Sequence, residues 1–188
     1  MKKIVLIVLI FAVVTGAAFA FDVLSYPPPL AGGGNIMLDA GIGYIYTGWA
    51  SWLLGKFVIP PLFLNVEYAL PVKVPISVGG GVAFFQWKLD ERIYNYTLTD
   101  IIPYVRASWH WGFDVSWLDL YTGISIGYSI VIVKWGDNSW SSRYSAAGSS
   151  GFYWGTHVGA HFYFTKYIGA VVEAGYPFLI RAGLAFKF

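Results

Sequence analysis

The sequence predicts an all-β fold: one closed, up-and-down barrel of eight antiparallel strands that crosses a membrane. Three observations predict it. The 188-residue chain is 57% hydrophobic and only 12% charged, far too apolar to clothe a soluble core in polar surface. Past the amino-terminal region no uncharged apolar run reaches the roughly 18 residues of a spanning helix. Instead, eight stretches alternate apolar residues with small or polar ones, the period of two that gives a strand two unlike faces.

The chain starts with a basic Met1-Lys2-Lys3, an apolar stretch from Ile4 to Val14, and the small-x-small site Ala18-Phe19-Ala20. That order is a cleaved secretory signal peptide over residues 1–20, so the mature chain is expected to begin at Phe21. Residues 21–34 contain Pro27-Pro28-Pro29 and Gly32-Gly33-Gly34. Such a segment cannot hold a regular ladder and reads as a periplasmic leader. The barrel is expected over residues 35–188.

The first strand, 35–46, sets Leu38, Ala40, Ile42 and Tyr44 against Asp39, Gly41 and Gly43. The second, 61–70, sets Leu62, Leu64, Val66 and Tyr68 against Glu67. The third, 75–88, places Gly79, Gly81 and Phe85 on one face, and the fourth, 99–111, sets Val105, Ala107, Trp109 and Trp111 against Arg106, Ser108 and His110. In the fifth, 119–134, Ile124, Ile126, Tyr128, Ile130 and Ile132 oppose Gly123 and Gly127. In the sixth, 152–165, Trp154, Val158, Ala160, Phe162 and Phe164 oppose His157, Gly159 and His161. The seventh, 167–176, sets Ile168, Ala170, Val172, Ala174 and Tyr176 against Gly169, Val171, Glu173 and Gly175. The eighth, 179–188, sets Ile180, Ala182, Leu184, Phe186 and Phe188 against Leu179, Arg181, Gly183, Ala185 and Lys187. Each is about as long as the 9–11 residues a tilted strand needs to cross a bilayer. The second, fourth and sixth connections are short and the odd ones mostly longer, as expected of periplasmic turns and external loops. Residues 177–178 depart from this, making the seventh connection a tight hairpin.

The apolar rows have no helix to bury them, so lipid is the expected solvent for that face. Trp109, Trp111, Phe164 and Phe188 fall at the periplasmic ends, and Tyr46, Trp154 and Tyr176 at the external ends, an aromatic girdle at two heights. The other face faces a lumen that in an eight-stranded barrel holds little beyond its own side chains. Glycines there leave room for a lumen ion network of Asp39, Glu67 and Glu173, of Arg106, Arg181 and Lys187, and of His110, His157 and His161. Three acids against three bases gives each buried ion a partner, which burial requires. Glu173 and Arg181 sit symmetrically about Pro177 and are expected to form a bidentate pair across the last hairpin.

Ala182, Leu184, Phe186 and Phe188 match residue by residue the alternating, aromatic-ended tail of the small eight-stranded bacterial outer-membrane barrels of the OmpA, OmpX and OmpW type. The chain resembles that family. The resemblance implies residence in the cell outer membrane of a Gram-negative-type envelope, with outer-membrane lipid as a partner. It also implies that Leu184, Phe186 and Phe188 form the signal read by the barrel-assembly machinery.

Enzymes that act on lipid A occur among barrels of this size, so catalytic sets were weighed. Ser108 and His110 share a face, with Glu173 or Asp39 as a third member. That face is the lumen, whereas a lipid-cleaving site must open to the membrane, and no His-x-Ser sequence occurs. His157 and His161, four apart on a strand, are separated by about 13 Å, too far to share a metal unaided. No cofactor, metal or nucleic-acid partner is expected, the net charge being only +2. The expected function is a non-enzymatic structural or surface-interaction scaffold with a side-chain-plugged polar lumen. Residues 49–52, 92–96 and 138–144 would be displayed to an extracellular ligand. The alternatives are a narrow, porin-like OmpW-type pore for small solutes and, behind it, a lipid A-modifying enzyme.

Overall fold

The computed structural model describes residues 33–45, 55–72, 74–90, 95–112, 115, 117–136 and 150–188. The signal segment and all but the end of the leader lie outside the described residues, as do Tyr46 and most of the three long connections. Eight strands run in chain order: β1 (Ile36–Ile45), β2 (Gly55–Ala69), β3 (Ile76–Asp90), β4 (Asn95–Trp111), β5 (Leu118–Trp135), β6 (Gly151–Tyr163), β7 (Ile168–Gly175) and β8 (Phe178–Lys187). Each pairs antiparallel with its neighbours, and β1 pairs with β8 to close the barrel. At the seam, Ile36 and Phe188 exchange both backbone bonds, at 3.0 and 2.9 Å. The last residue therefore completes the closure. The turn before β1 places Gly34 at φ 92°, a left-handed conformation that glycine adopts without steric cost, and its N–H donates to the Ala69 carbonyl.

Three expectations need correction. The second strand, expected to start at Pro61, begins at Gly55 and runs through Pro60 and Pro61, with its register against β3 shifting between Phe57 and Ile59 and again between Ile59 and Leu62. Proline cannot donate to a ladder but is tolerated where the ladder is already irregular. Asn95 and Tyr96, expected in an external loop, lie in β4, where Tyr96 pairs with Leu89 on one side and Trp135 on the other. Leu179, expected on the lumen face with Arg181, points outward beside Ile180. The register shifts between Tyr44 and Ile45, so Phe178 turns inward in its place.

These extensions make the wall uneven. Strands β3, β4 and β5 have 15, 17 and 18 residues, whereas β7, β8 and β1 have 8, 10 and 10. One side of the barrel therefore stands well above the other at the long-loop end.

The outside carries the exposed apolar side chains, among them Ile42, Val66, Val105, Ile126, Val158 and Leu184. Trp154, Phe164, Tyr176 and Phe188 are exposed near the two rims, and Trp109 and Trp111 are half-buried on the same outer face. Exposed apolar surface continuous around a closed sheet is stable only against an apolar solvent. No helix among the described residues is long and apolar enough to cross a membrane; the strands provide the crossing.

Val105, 64% exposed in the middle of the wall, tests this. Val105→Arg should destabilise the protein in phospholipid vesicles by about 2–4 kcal/mol, and Val105→Leu should be neutral. Urea unfolding followed by tryptophan emission would measure both.

Candidate functional site

Alternation sends Asp39, Glu67, Arg106, His110, His157, His161, Glu173 and Arg181 into the lumen, where all are buried. Their ladder neighbours decide how far each can reach. Arg106 lies opposite Gly79 of β3 and Arg181 opposite Gly43 of β1. A Cβ at Gly79 would run into the Val66 carbonyl and Glu67 on β2, and one at Gly43 into the Phe178 ring.

At the centre, Glu173 and Arg181 face each other across β7 and β8. The expected bidentate pair is replaced by a shared carboxylate. Arg181 Nη2 lies 2.6 Å from Glu173 Oε1, and Arg106 Nη2, arriving from β4, lies 2.8 Å from Oε2. The Tyr121 hydroxyl also donates to Oε2 at 2.9 Å. Arg106 turns its Nε to Glu67 Oε1 on β2, 2.9 Å away. Arg181 donates from Nη1 to the Tyr104 hydroxyl at 2.9 Å and stacks over the Phe63 ring, 4.5 Å from its centroid. Asn65 sits between Tyr104 and the two guanidinium groups. With its amide nitrogen toward Tyr104, its oxygen accepts from Arg181 Nη2 at 2.9 Å and Arg106 Nη1 at 3.1 Å.

Toward the end where β1 starts and β8 finishes, a second chain of contacts crosses the lumen. Ser77 Oγ donates to Glu67 Oε2 at 2.5 Å and meets His110 Nε2 at 2.9 Å. His110 Nδ1 lies 3.0 Å from Asp119 Oδ1, and His161 Nδ1 lies 3.2 Å from Asp119 Oδ2. His161 Nε2 then reaches Asp39 Oδ1 at 3.2 Å. Tyr121 stacks on His161, with centroids 4.7 Å apart.

Both nitrogens of His161 face carboxylates, Asp119 at Nδ1 and Asp39 at Nε2. His110 faces Asp119 at Nδ1 and the Ser77 hydroxyl at Nε2. The network joins four carboxylates (Asp39, Glu67, Asp119, Glu173) to Arg106, Arg181, His110 and His161. The Lys187 ammonium lies 4.4 Å from the centroid of Tyr163.

Ser77, His110 and Asp119 thus reproduce the order of a nucleophile, base and orienting acid, while Ser108, expected beside His110, meets His157 at 3.0 Å instead. Ser77 donates to Glu67, and all three side chains are buried. Among the described residues no cluster of His, Cys, Asp or Glu is arranged to hold a metal ion.

Asp119, Asn65, Ser77, Tyr104 and Tyr121 were missed by the sequence reading. All were findable by parity: Asp119 and Tyr121 precede Gly123 at steps of two, Asn65 precedes Glu67, and Ser77 precedes Gly79.

No protein-family model matches the chain, and no curated protein matches it. Solved structures do. The outer membrane protein OprG from Pseudomonas aeruginosa superposes with a TM-score of 0.56 at 13% identity, covering 84% of this chain and 98% of its own. Ail, the attachment invasion locus protein of Yersinia pestis, solved in complex with the heparin analogue sucrose octasulfate, gives 0.53 at 12% identity, covering 83% and 99%. The fold is that of the eight-stranded outer-membrane barrels.

The shared carboxylate ranks the arginines. Arg106→Met strips Glu67 of its arginine and leaves Glu173 with Arg181 alone, and should cost about 3–5 kcal/mol. Arg181→Met leaves Glu173 with Arg106 and should cost less. Unfolding of both variants in the same vesicles would order them.

Proposed function

We propose that this protein is a non-enzymatic outer-membrane scaffold whose lumen is closed by its own ion network. The observation that carries the reading is the reach of Arg106 on β4 to Glu67 on β2 and Glu173 on β7, across the interior rather than along it. With Asp39, Ser77, Asp119, His161 and Arg181, the contacts draw on every strand. A layer of this kind leaves a narrow barrel no continuous water path. Lipid contacts the apolar exterior, and the tail residues Leu184, Phe186 and Phe188 serve the assembly machinery. An extracellular ligand, for which the shared fold with Ail is the suggestion, would be met by the long connections.

The buried, proton-committed Ser77 set supports the non-enzymatic reading. A serine-directed fluorophosphonate should therefore leave Ser77 unlabelled in the folded protein and in Ser77→Ala alike. Mass spectrometry of the intact chain would read this, and selective labelling at Ser77 would reverse the reading.

One observation favours a narrow pore instead. Above the ion layer the lumen is lined by Phe63, Phe85, Trp87, Leu89, Ile102 and Phe178, an apolar stretch that would pass an apolar solute if the layer below could open. Conductance in a planar bilayer separates the two. The scaffold reading expects silence from the wild type and discrete steps from the Glu173→Ala, Arg181→Ala double variant; steps from the wild type would favour the pore.

A further inference from the structure

Asp100 is a buried lumen acid outside the ion network. It faces the lumen from β4, 8% exposed, six positions along the strand from Arg106 and so about 20 Å from it at the usual strand rise. Among the described residues no cation is paired with it. Its carboxylate is met by the Ser129 hydroxyl, 2.8 and 3.0 Å from its two oxygens. The Ile101 backbone N–H also donates to it, while the neighbouring side chains are apolar: Phe85 and Val131 across the ladder, and Leu98 and Ile102 on the same face.

Aromatic rings continue this surface toward the rim. Phe57 meets Phe85 edge-on, with centroids 6.0 Å apart. Tyr96 lies between Trp87 and Trp135, with centroids at 5.6 and 5.2 Å. All of this lies on the tall wall of β2 to β5, where the strands across the barrel have already ended at Gly175, Phe178 and Ile45.

We propose that Asp100 and the aromatic side chains around it form a binding site for an organic cation, an ammonium group carried on an apolar body. A buried carboxylate without a counter-ion is costly, and a bound cation offsets that cost. An inorganic ion is the wrong occupant, because calcium or magnesium needs six or more oxygen ligands and the described side chains here supply only those of Asp100 and Ser129. A substituted ammonium sheds its water readily, pairs with the carboxylate, and gains from ring faces close by. The apolar body accounts for the rest of the lining. The site lies above the ion layer and needs no passage through it, so it is independent of whether the barrel conducts.

The test uses the refolded chain in non-ionic maltoside micelles, with benzyltrimethylammonium as the probe and benzyl alcohol as its neutral counterpart. Binding is read by calorimetry and by tryptophan emission, to which Trp87 and Trp135 contribute. The wild type should bind the cation saturably and at least tenfold more tightly than the alcohol. Asp100→Asn, which keeps the shape and the contact with Ser129, should lose at least tenfold for the cation and leave the alcohol unchanged, with circular dichroism confirming its fold. Absence of saturable cation binding by the folded wild type would overturn the proposal, as would equal affinity for cation and alcohol. Each of these is read on the wild type alone, so the test stands even if the variant does not fold.

Discussion

The carboxylate of Glu173, held between Arg181 from the adjacent strand and Arg106 from across the barrel, is the interaction on which the interior depends. Among the described residues it is the carboxylate paired with Arg181 and one of two paired with Arg106, and it could not be buried without at least one of these arginines. Through Arg106 it fixes Glu67, and through Glu67 it fixes Ser77 and the histidine–aspartate chain that ends at Asp39. The cost of desolvating these ions is met only when every member is paired, so the layer forms as a unit. Small lumen residues make the unit possible, since Gly79 lets β3 lie close against Glu67 and Gly43 leaves room for the Phe178 ring beside Arg181.

The barrel is divided by height into two chemistries. Near the end where β1 starts and β8 finishes the lumen is ionic and filled; toward the long connections it is apolar and aromatic, and one wall outgrows the other. The division follows from where the long strands extend, because the added residues of β2, β4 and β5 place Phe57, Tyr96, Leu98 and Trp135 above the level at which β7, β8 and β1 stop. Asp100 is the exception within that apolar zone. A single acid there, with a serine for company, is a feature that packing alone does not call for.

The resemblance to catalytic sites is a consequence of the same crowding. Eight strands converge on a narrow lumen, and serine, histidine and aspartate placed at adjacent levels fall into hydrogen-bond distance of one another. In the set of Ser77, His110 and Asp119, the serine hydroxyl donates to Glu67.

Much of the fold was legible in the sequence because alternation is local. A strand that buries one face in lipid and the other in a lumen must write both in steps of two, so strand number, faces and rims followed from reading residues such as Leu184, Phe186 and Phe188 against Arg181 and Lys187. The pairing of Glu173 with Arg181 was also local, being symmetric about a tight hairpin. The tertiary structure alone decided the rest. The second strand was expected only from Pro61, and only the partner strand shows that its ladder continues back through Pro60 to Gly55. Leu179 changed face because the seam with β1 slips by one residue. Arg106 chose Glu67 and Glu173 from several acids of like parity, because a choice across the lumen depends on the barrel's radius and on side-chain reach, which sequence spacing does not encode.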